Sequence, residues 1–142
     1  MNPAERVPIQ EGLFTWPCAS PQLIGGHCGD CGGWHFPVQD NCPHCAGLSV
    51  ERQPLSRRGT LWTWTIQTFA PPVPPYRGAV EGFVPFGVGY VELPEGLRVQ
   101  GRLTVNDASK LRIGMAMEVT LEPMAVDAQG RELMCYAFAP VA

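Results

Sequence analysis

The chain reads as mainly β, with a small metal-binding ribbon followed by a five-stranded barrel. Three observations predict this. Two Cys-x-x-Cys pairs, Cys28–Cys31 and Cys42–Cys45, stand ten residues apart. From Gly59 onward, apolar and polar residues alternate with the period of a β-strand. Between the third and fourth of these segments lies room for a single helical turn, Ala108 to Ile113, and for nothing longer.

The cysteine pairs carry the most specific chemistry. Each Cys-x-x-Cys wraps a tight knuckle, and Gly29, Gly32, Gly33 and Gly47 loosen the backbone around them. Four sulfurs brought to one point form the tetrahedral donor set of a structural zinc site. The predicted metal ligands are therefore Cys28, Cys31, Cys42 and Cys45. Such a shell has no open position for water or substrate, so the zinc is architectural and not catalytic. A rubredoxin-like iron site uses the same ligands, and two disulfides would use the same cysteines. Disulfides belong to oxidising compartments. Residues 1–6 lack the basic-then-apolar pattern of a signal peptide, so the expected location is cytoplasmic and the cysteines reduced. His27, His35 and His44 lie close by, but four cysteines already complete the shell. The histidines are expected to be exposed or to surround it. Cys18 and Cys135 remain, as small hydrophobes. Cys18 is also the one candidate nucleophile.

Composition excludes several classes. Of 142 residues, 45% are hydrophobic and 16% charged, which suits a folded domain and not a disordered one. No apolar run approaches the roughly 20 residues that span a bilayer. The net charge is −3, and Lys110 is the sole lysine. Nucleic-acid binders normally display a basic stripe, and this chain does not. No nucleophile elbow, phosphate loop or dinucleotide fingerprint occurs, so no catalytic residues are assigned.

The elements follow in order. Residues 1–20 form an N-terminal arm, read as a short helix between Pro8 and Pro17 with Ile9, Leu13 and Phe14 on its apolar side. Residues 21–54 are the ribbon. Leu23 and Ile24 begin a short strand, and Trp34 to Phe36 leave the first knuckle. Residues 46–58, with Gly47, Pro54 and three arginines, read as a linker. Residues 55–142 are the barrel. Its first strand is Thr60 to Phe69, with Trp62, Trp64 and Ile66 on one face. Residues 70–85 hold five prolines, which exclude a central strand or helix there. Long loops are disproportionately functional. Val88–Leu93 and Leu97–Val105 then make a hairpin around Pro94-Glu95-Gly96. Val99, Gly101, Leu103 and Val105 face inward, and Gly101 suggests a bulge or bend. After the helical turn, the strand around Met117, Val119 and Leu121 and the strand from Glu132 to Ala139 complete the set. Five strands with a short helix between the third and fourth match the OB-fold. An SH3-like barrel is the structural alternative.

At this point the chain resembles the DUF35 family. The resemblance covers about residues 20–140. It is carried by Cys28-Gly-Asp-Cys31, His35-Phe36-Pro37, Cys42-Pro-His-Cys45, the segment from Pro85 to Val99, Leu111-Arg-Ile-Gly-Met115, and Tyr136-Ala-Phe-Ala-Pro140. It implies a rubredoxin-like zinc ribbon with an acyl-CoA-associated OB-fold. It further implies a partner of the thiolase superfamily, as in benzoylsuccinyl-CoA thiolase or steroid side-chain aldolases. In such complexes the small subunit helps to form or enclose the acyl-CoA site, while the chemistry sits mainly on the large partner. The expected assembly is a heterotetramer or larger. A CoA carrier needs cations for phosphates and apolar surface for the pantetheine arm. Tyr76, Arg77 and Phe86 on or beside the long loop are the candidate acyl-CoA or partner contacts, with Arg57 and Arg58 as further cations. The competing function is a nucleic-acid-binding ribbon and OB module.

Overall fold

The computed structural model describes residues 5–16, 19–68 and 84–141. Among these residues nine strands follow one another: β1 (Arg6–Pro8), β2 (Ile24–Cys28), β3 (Trp34–His35), β4 (Val50–Pro54), β5 (Arg58–Gln67), β6 (Phe86–Glu92), β7 (Arg98–Leu103), β8 (Ala116–Val126) and β9 (Glu132–Pro140). Among the described residues there is no α-helix. One 3-10 turn, Ala108–Lys110, separates β7 from β8, and Asp107 caps it by accepting from the Ser109 N–H at 2.9 Å. Among the described residues no helix is long and apolar enough to cross a membrane.

β5 to β9 close on themselves. β5 pairs with β6, β6 with β7, β7 with β9, β9 with β8, and β8 returns to β5. All pairings are antiparallel except β7–β9. This is the five-stranded barrel that the alternation predicts, with the short turn in the place that defines an OB-fold. Its core holds Leu61, Val91, Val99, Leu103, Met117, Val119 and Phe138, each at most 3% exposed. Gly101 does not mark a bulge. It pairs with Gly89 in an unbroken register. A Cβ at Gly101 would lie 2.8 Å from the Phe138 ring, so the missing side chain is what seats Phe138.

The first barrel strand corrects the sequence pattern. Trp62, Trp64 and Ile66 do not share a face with a common fate. The register shifts between Leu61 and Thr63, which is a β-bulge. Leu61 is fully buried, Trp62 points outward at 45% exposure, and Trp64 and Ile66 return to pack on the core.

The ribbon is a three-stranded sheet in the order β3-β2-β4. The stretch expected as a linker is in fact an edge strand. Val50–Pro54 pairs with Cys28–Ile24 along its whole length. Its charged composition and Pro54 suit an edge, where one side needs no ladder bonds. The arm also departs from expectation. Residues 5–16 hold no helix. β1 adds in parallel to β9, with Arg6 bonded to Glu132 at 3.1 Å, and the chain then turns before Phe14 bridges Leu23. A short segment between prolines cannot supply enough helical hydrogen bonds to stand alone, and the edge of β9 offers partners instead.

Arm, ribbon base and barrel share one core. Leu13 and Phe14 from the arm, with Leu23 and Leu55 from the ribbon base, join the barrel residues in a single buried cluster. The joint is also polar. Gln22 Nε2 donates to the Leu55 carbonyl at 3.1 Å, and Glu95 in the β6–β7 turn accepts from the Ser56 N–H at 2.8 Å and its hydroxyl at 2.9 Å.

Candidate functional site

The four predicted ligands converge. The sulfurs of Cys28, Cys31, Cys42 and Cys45 all lie within 4.8 Å of one another. The Cys28–Cys45 and Cys31–Cys42 pairs are each 3.6 Å apart. That is far beyond a disulfide bond of about 2.05 Å. It is close to the edge of a tetrahedron built on Zn–S bonds of about 2.3 Å, roughly 3.8 Å.

The two knuckles are near copies. In the first, the Cys31 N–H points at the Cys28 sulfur at 3.5 Å and the Gly32 N–H donates to the Cys28 carbonyl at 2.9 Å. In the second, the His44 N–H points at the Cys42 sulfur at 3.4 Å and the Ala46 N–H donates to the Cys42 carbonyl at 2.8 Å. Both turns need a left-handed residue. Gly32 supplies it at φ 75°, and Ala46 adopts it at φ 62° despite its Cβ. The first member of each pair is buried and the second exposed.

Electrostatics favours a cation among these sulfurs. Burial pushes the Cys42 thiol up, but the N–H groups of Cys45 and His44 outweigh it and bring it to about 7. The Gly47 N–H draws Cys45 down, yet the Cys28 thiol, burial and the other two thiols push it up to about 12. Four crowded sulfurs resist shared ionisation unless a positive ion sits between them. The donor set therefore fits a structural zinc, with all four positions filled by protein.

None of the three histidines joins this cluster. His44 Nε2 meets the Trp34 carbonyl at 3.2 Å and so carries the proton, and His27 stacks on Trp34 with centroids 4.3 Å apart. His35 is not exposed. It is 5% accessible, accepts from the Gln39 N–H at 3.1 Å, and lies against the backbone of Gly26, where a Cβ would collide with its ring. Cys18 lies outside the described residues. Cys135 is half-buried on β9, with its thiol pushed up by burial.

A second feature is a groove of about 1050 Å³ along the outer face of β6 and β7. Its walls come from all three parts of the chain: Leu13 of the arm, Phe36 and Pro37 of the ribbon, and Tyr90, Arg102 and Tyr136 of the barrel. Phe36 meets Tyr136 edge to face at 5.6 Å, and the Tyr136 hydroxyl donates to the Gln100 carbonyl at 2.6 Å. The zinc module thus shapes the barrel's groove directly.

The candidate ligand contacts fare differently. Tyr76 and Arg77 lie outside the described residues. Phe86 lines the groove, with the Arg102 guanidinium 4.5 Å above its ring. Arg57 is committed internally. It donates to Glu118 at 2.6 Å and to the Pro21 carbonyl at 3.1 Å, clamping ribbon to barrel, while Arg58 lies 3.9 Å from the same Glu118. The groove cations are instead Arg98 and Arg102, which the sequence reading passed over. The outward phase of Arg98, Gln100 and Arg102 along β7 was the available signal.

These features define a class: a four-cysteine ribbon fused through a shared core to an OB-fold barrel with an aromatic, arginine-bearing groove. Residues 15–51 match the family described as the ChsH2 rubredoxin-like zinc ribbon domain, and residues 52–122 match the ChsH2 C-terminal OB-fold domain. The chain belongs to the DUF35 family. It is 32% identical to the benzoylsuccinyl-CoA thiolase subunit BbsA of Thauera aromatica over 84% of this chain and 76% of that one. It is also 32% identical to a DUF35 domain-containing scaffold protein of Pyrococcus furiosus, over 84% of each chain. Among solved structures, a chain of the Ltp2-ChsH2(DUF35) aldolase shares the fold, with a TM-score of 0.63 and 24% identity across 85% of this chain and 86% of that one.

Proposed function

We propose that this chain is an accessory, non-catalytic subunit of a thiolase-superfamily acyl-CoA complex, in which it helps to form or enclose the acyl-CoA site. The observation that carries the reading is similarity through both ribbon and barrel to a subunit of benzoylsuccinyl-CoA thiolase and to a scaffold protein. The geometry supports it. The closed cysteine shell holds no reactive position. The groove, walled by arm, ribbon and barrel, suits a subunit that supplies surface while its partner supplies chemistry. In this reading Cys28, Cys31, Cys42 and Cys45 hold a structural zinc, Phe86 contributes apolar surface, and Tyr76 and Arg77 of the proline-rich stretch contact acyl-CoA or the partner. The partner is a thiolase-like large subunit, in a heterotetramer or larger assembly that performs thiolytic or aldol carbon–carbon chemistry.

The test is a native-source pull-down of the tagged chain with mass spectrometry of its companions. A stoichiometric thiolase-like protein is the expected result. Recovery of the chain alone, or with RNA and ribosomal proteins, would overturn the accessory role.

A further inference from the structure

The ribbon sheet has an open edge. β4 lies along β2, and among the described residues no strand borders its other side. An edge strand alternates between residues whose backbone groups meet the neighbour and residues whose groups point away. Two bonds fix that phase here. The Leu55 N–H donates to the Leu23 carbonyl at 2.7 Å, and the Gly29 N–H donates to the Ser49 carbonyl at 2.7 Å. Odd-numbered residues therefore face β2, while Val50, Arg52 and Pro54 turn their backbone outward. Pro54 stands in the outward phase, so its missing N–H costs the β2 ladder nothing. The edge offers the N–H groups of Val50 and Arg52 and the carbonyls of Val50, Arg52 and Pro54. Among the described residues none of these groups has a hydrogen-bond partner.

A bare edge invites pairing, and proteins blunt the edges they do not use. Pro54 blunts its own end only. The charges nearby select among partners. Arg52 is exposed and makes no ion pair among the described residues. Its guanidinium lies beside Gly12 of the arm, where a Cβ would come within 3.1 Å of it. Glu51 sits on the opposite face of the strand and accepts from Gln53 Nε2 at 3.2 Å.

This pattern disfavours a second copy of the chain. A two-fold antiparallel pair centred on Arg52 sets two arginines directly opposite each other, and one centred on Glu51 opposes two carboxylates. Centring on Gln53 sets Arg52 against Pro54, which has no N–H to give. A strand of different composition meets none of these conflicts.

We propose that the open edge of β4 receives an extended segment of the large partner subunit, which adds a strand to the ribbon sheet with a carboxylate opposite Arg52 and a cation or amide opposite Glu51. The proposal rests on the accessory-subunit reading and says where that partner docks. Main-chain bonds supply the attachment and the alternating charges supply the selectivity. It also gives the metal a task beyond stability. Cys28, one of its ligands, is paired with Val50, so the cysteine cluster holds one end of the edge in place.

The experiment uses the full zinc-loaded chain, alone and in complex with its large subunit. Hydrogen exchange at single-amide resolution should find the Val50 and Arg52 amides fast in the free chain, beside slow Glu51 and Gln53 amides. In the complex both fast amides should slow by at least about tenfold. Arg52→Pro removes one outward N–H and leaves the β2 ladder intact, as Pro54 does. It should keep its metal and bind the large subunit at least about tenfold more weakly, through the lost bond and the ring in the path of the added strand. Arg52→Glu should weaken binding by about 2- to 30-fold, as an opposite-charge pair becomes a like pair. If Arg52→Pro fails to retain metal, exchange in the unaltered complex and Arg52→Glu decide. Amides as fast in the complex as in the free chain, or undiminished affinity in either variant, overturn the proposal and leave the accessory reading standing. Slow Val50 and Arg52 amides in the free chain overturn it too, whether another stretch of the chain or a second copy covers the edge. If no large subunit exists, this proposal and the accessory reading fall together.

Discussion

The ribbon and the barrel are both small β-sheets, yet different forces hold them. Between Cys28 and Val50 the buried side chains are Cys28, His35 and Cys42, and Leu48 stands 77% exposed. Such a segment cannot bury enough apolar surface to offset the entropy of ordering it. The barrel buries leucine, valine, methionine and phenylalanine from all five strands. A metal replaces a core in one region, and close packing suffices in the other. The base of the ribbon lies between these regimes. Leu23 and Leu55 belong to the barrel's core while the knuckles above them do not.

Three substitutions sharpen this contrast, from the largest effect to the smallest. Cys28→Ser should abolish metal retention and unfold the knuckles, since structural zinc sites contribute about 10–16 kcal/mol of binding free energy. Hydrogen exchange should show amides of residues 28–50 losing protection while β6 and β9 keep theirs. Metal content equal to the unaltered chain would break the comparison at its base. Phe138→Ala strikes the other regime. Loss of this fully buried ring should cost about 3–5 kcal/mol of barrel stability in urea unfolding, with metal still bound in the remaining folded population. An unchanged midpoint would mean that the barrel core is not what holds the fold. Ala46→Gly is the smallest. Relief of the left-handed alanine, offset by glycine's greater entropy, should gain less than about 1 kcal/mol. A zinc competition titration should show retention tighter by no more than about fivefold, and weaker retention would show that the methyl group itself supports the second knuckle.

Much of the fold was legible because its signals are local. A Cys-x-x-Cys knuckle is built by neighbours, and the ten-residue gap let two knuckles face each other. Alternation in β7 and β8 reports burial residue by residue. The failures fall where a distant partner decides. Val50–Pro54 has the composition of a linker and becomes a strand only because β2 offers an edge. β1 is a strand only because β9 does. Trp62 looked like a core residue in a regular alternation, and a single-residue shift in pairing turned it outward. Of the candidate ligand contacts, Phe86 lies in the groove wall, and Arg57, named as a further cation, is bonded to Glu118.

The amino-acid sequence by itself determined the metal donor set, the number of barrel strands and the core-facing side of β7 and β8, because each depends on spacing between residues a few positions apart. The tertiary structure alone decided which arginines are available. Arg57 is spent on Glu118, 61 residues away, whereas Arg98 and Arg102 are laid over the rings of Trp62 and Phe86 beside a groove. Charge is written in the sequence, but its partner is chosen only when the chain folds.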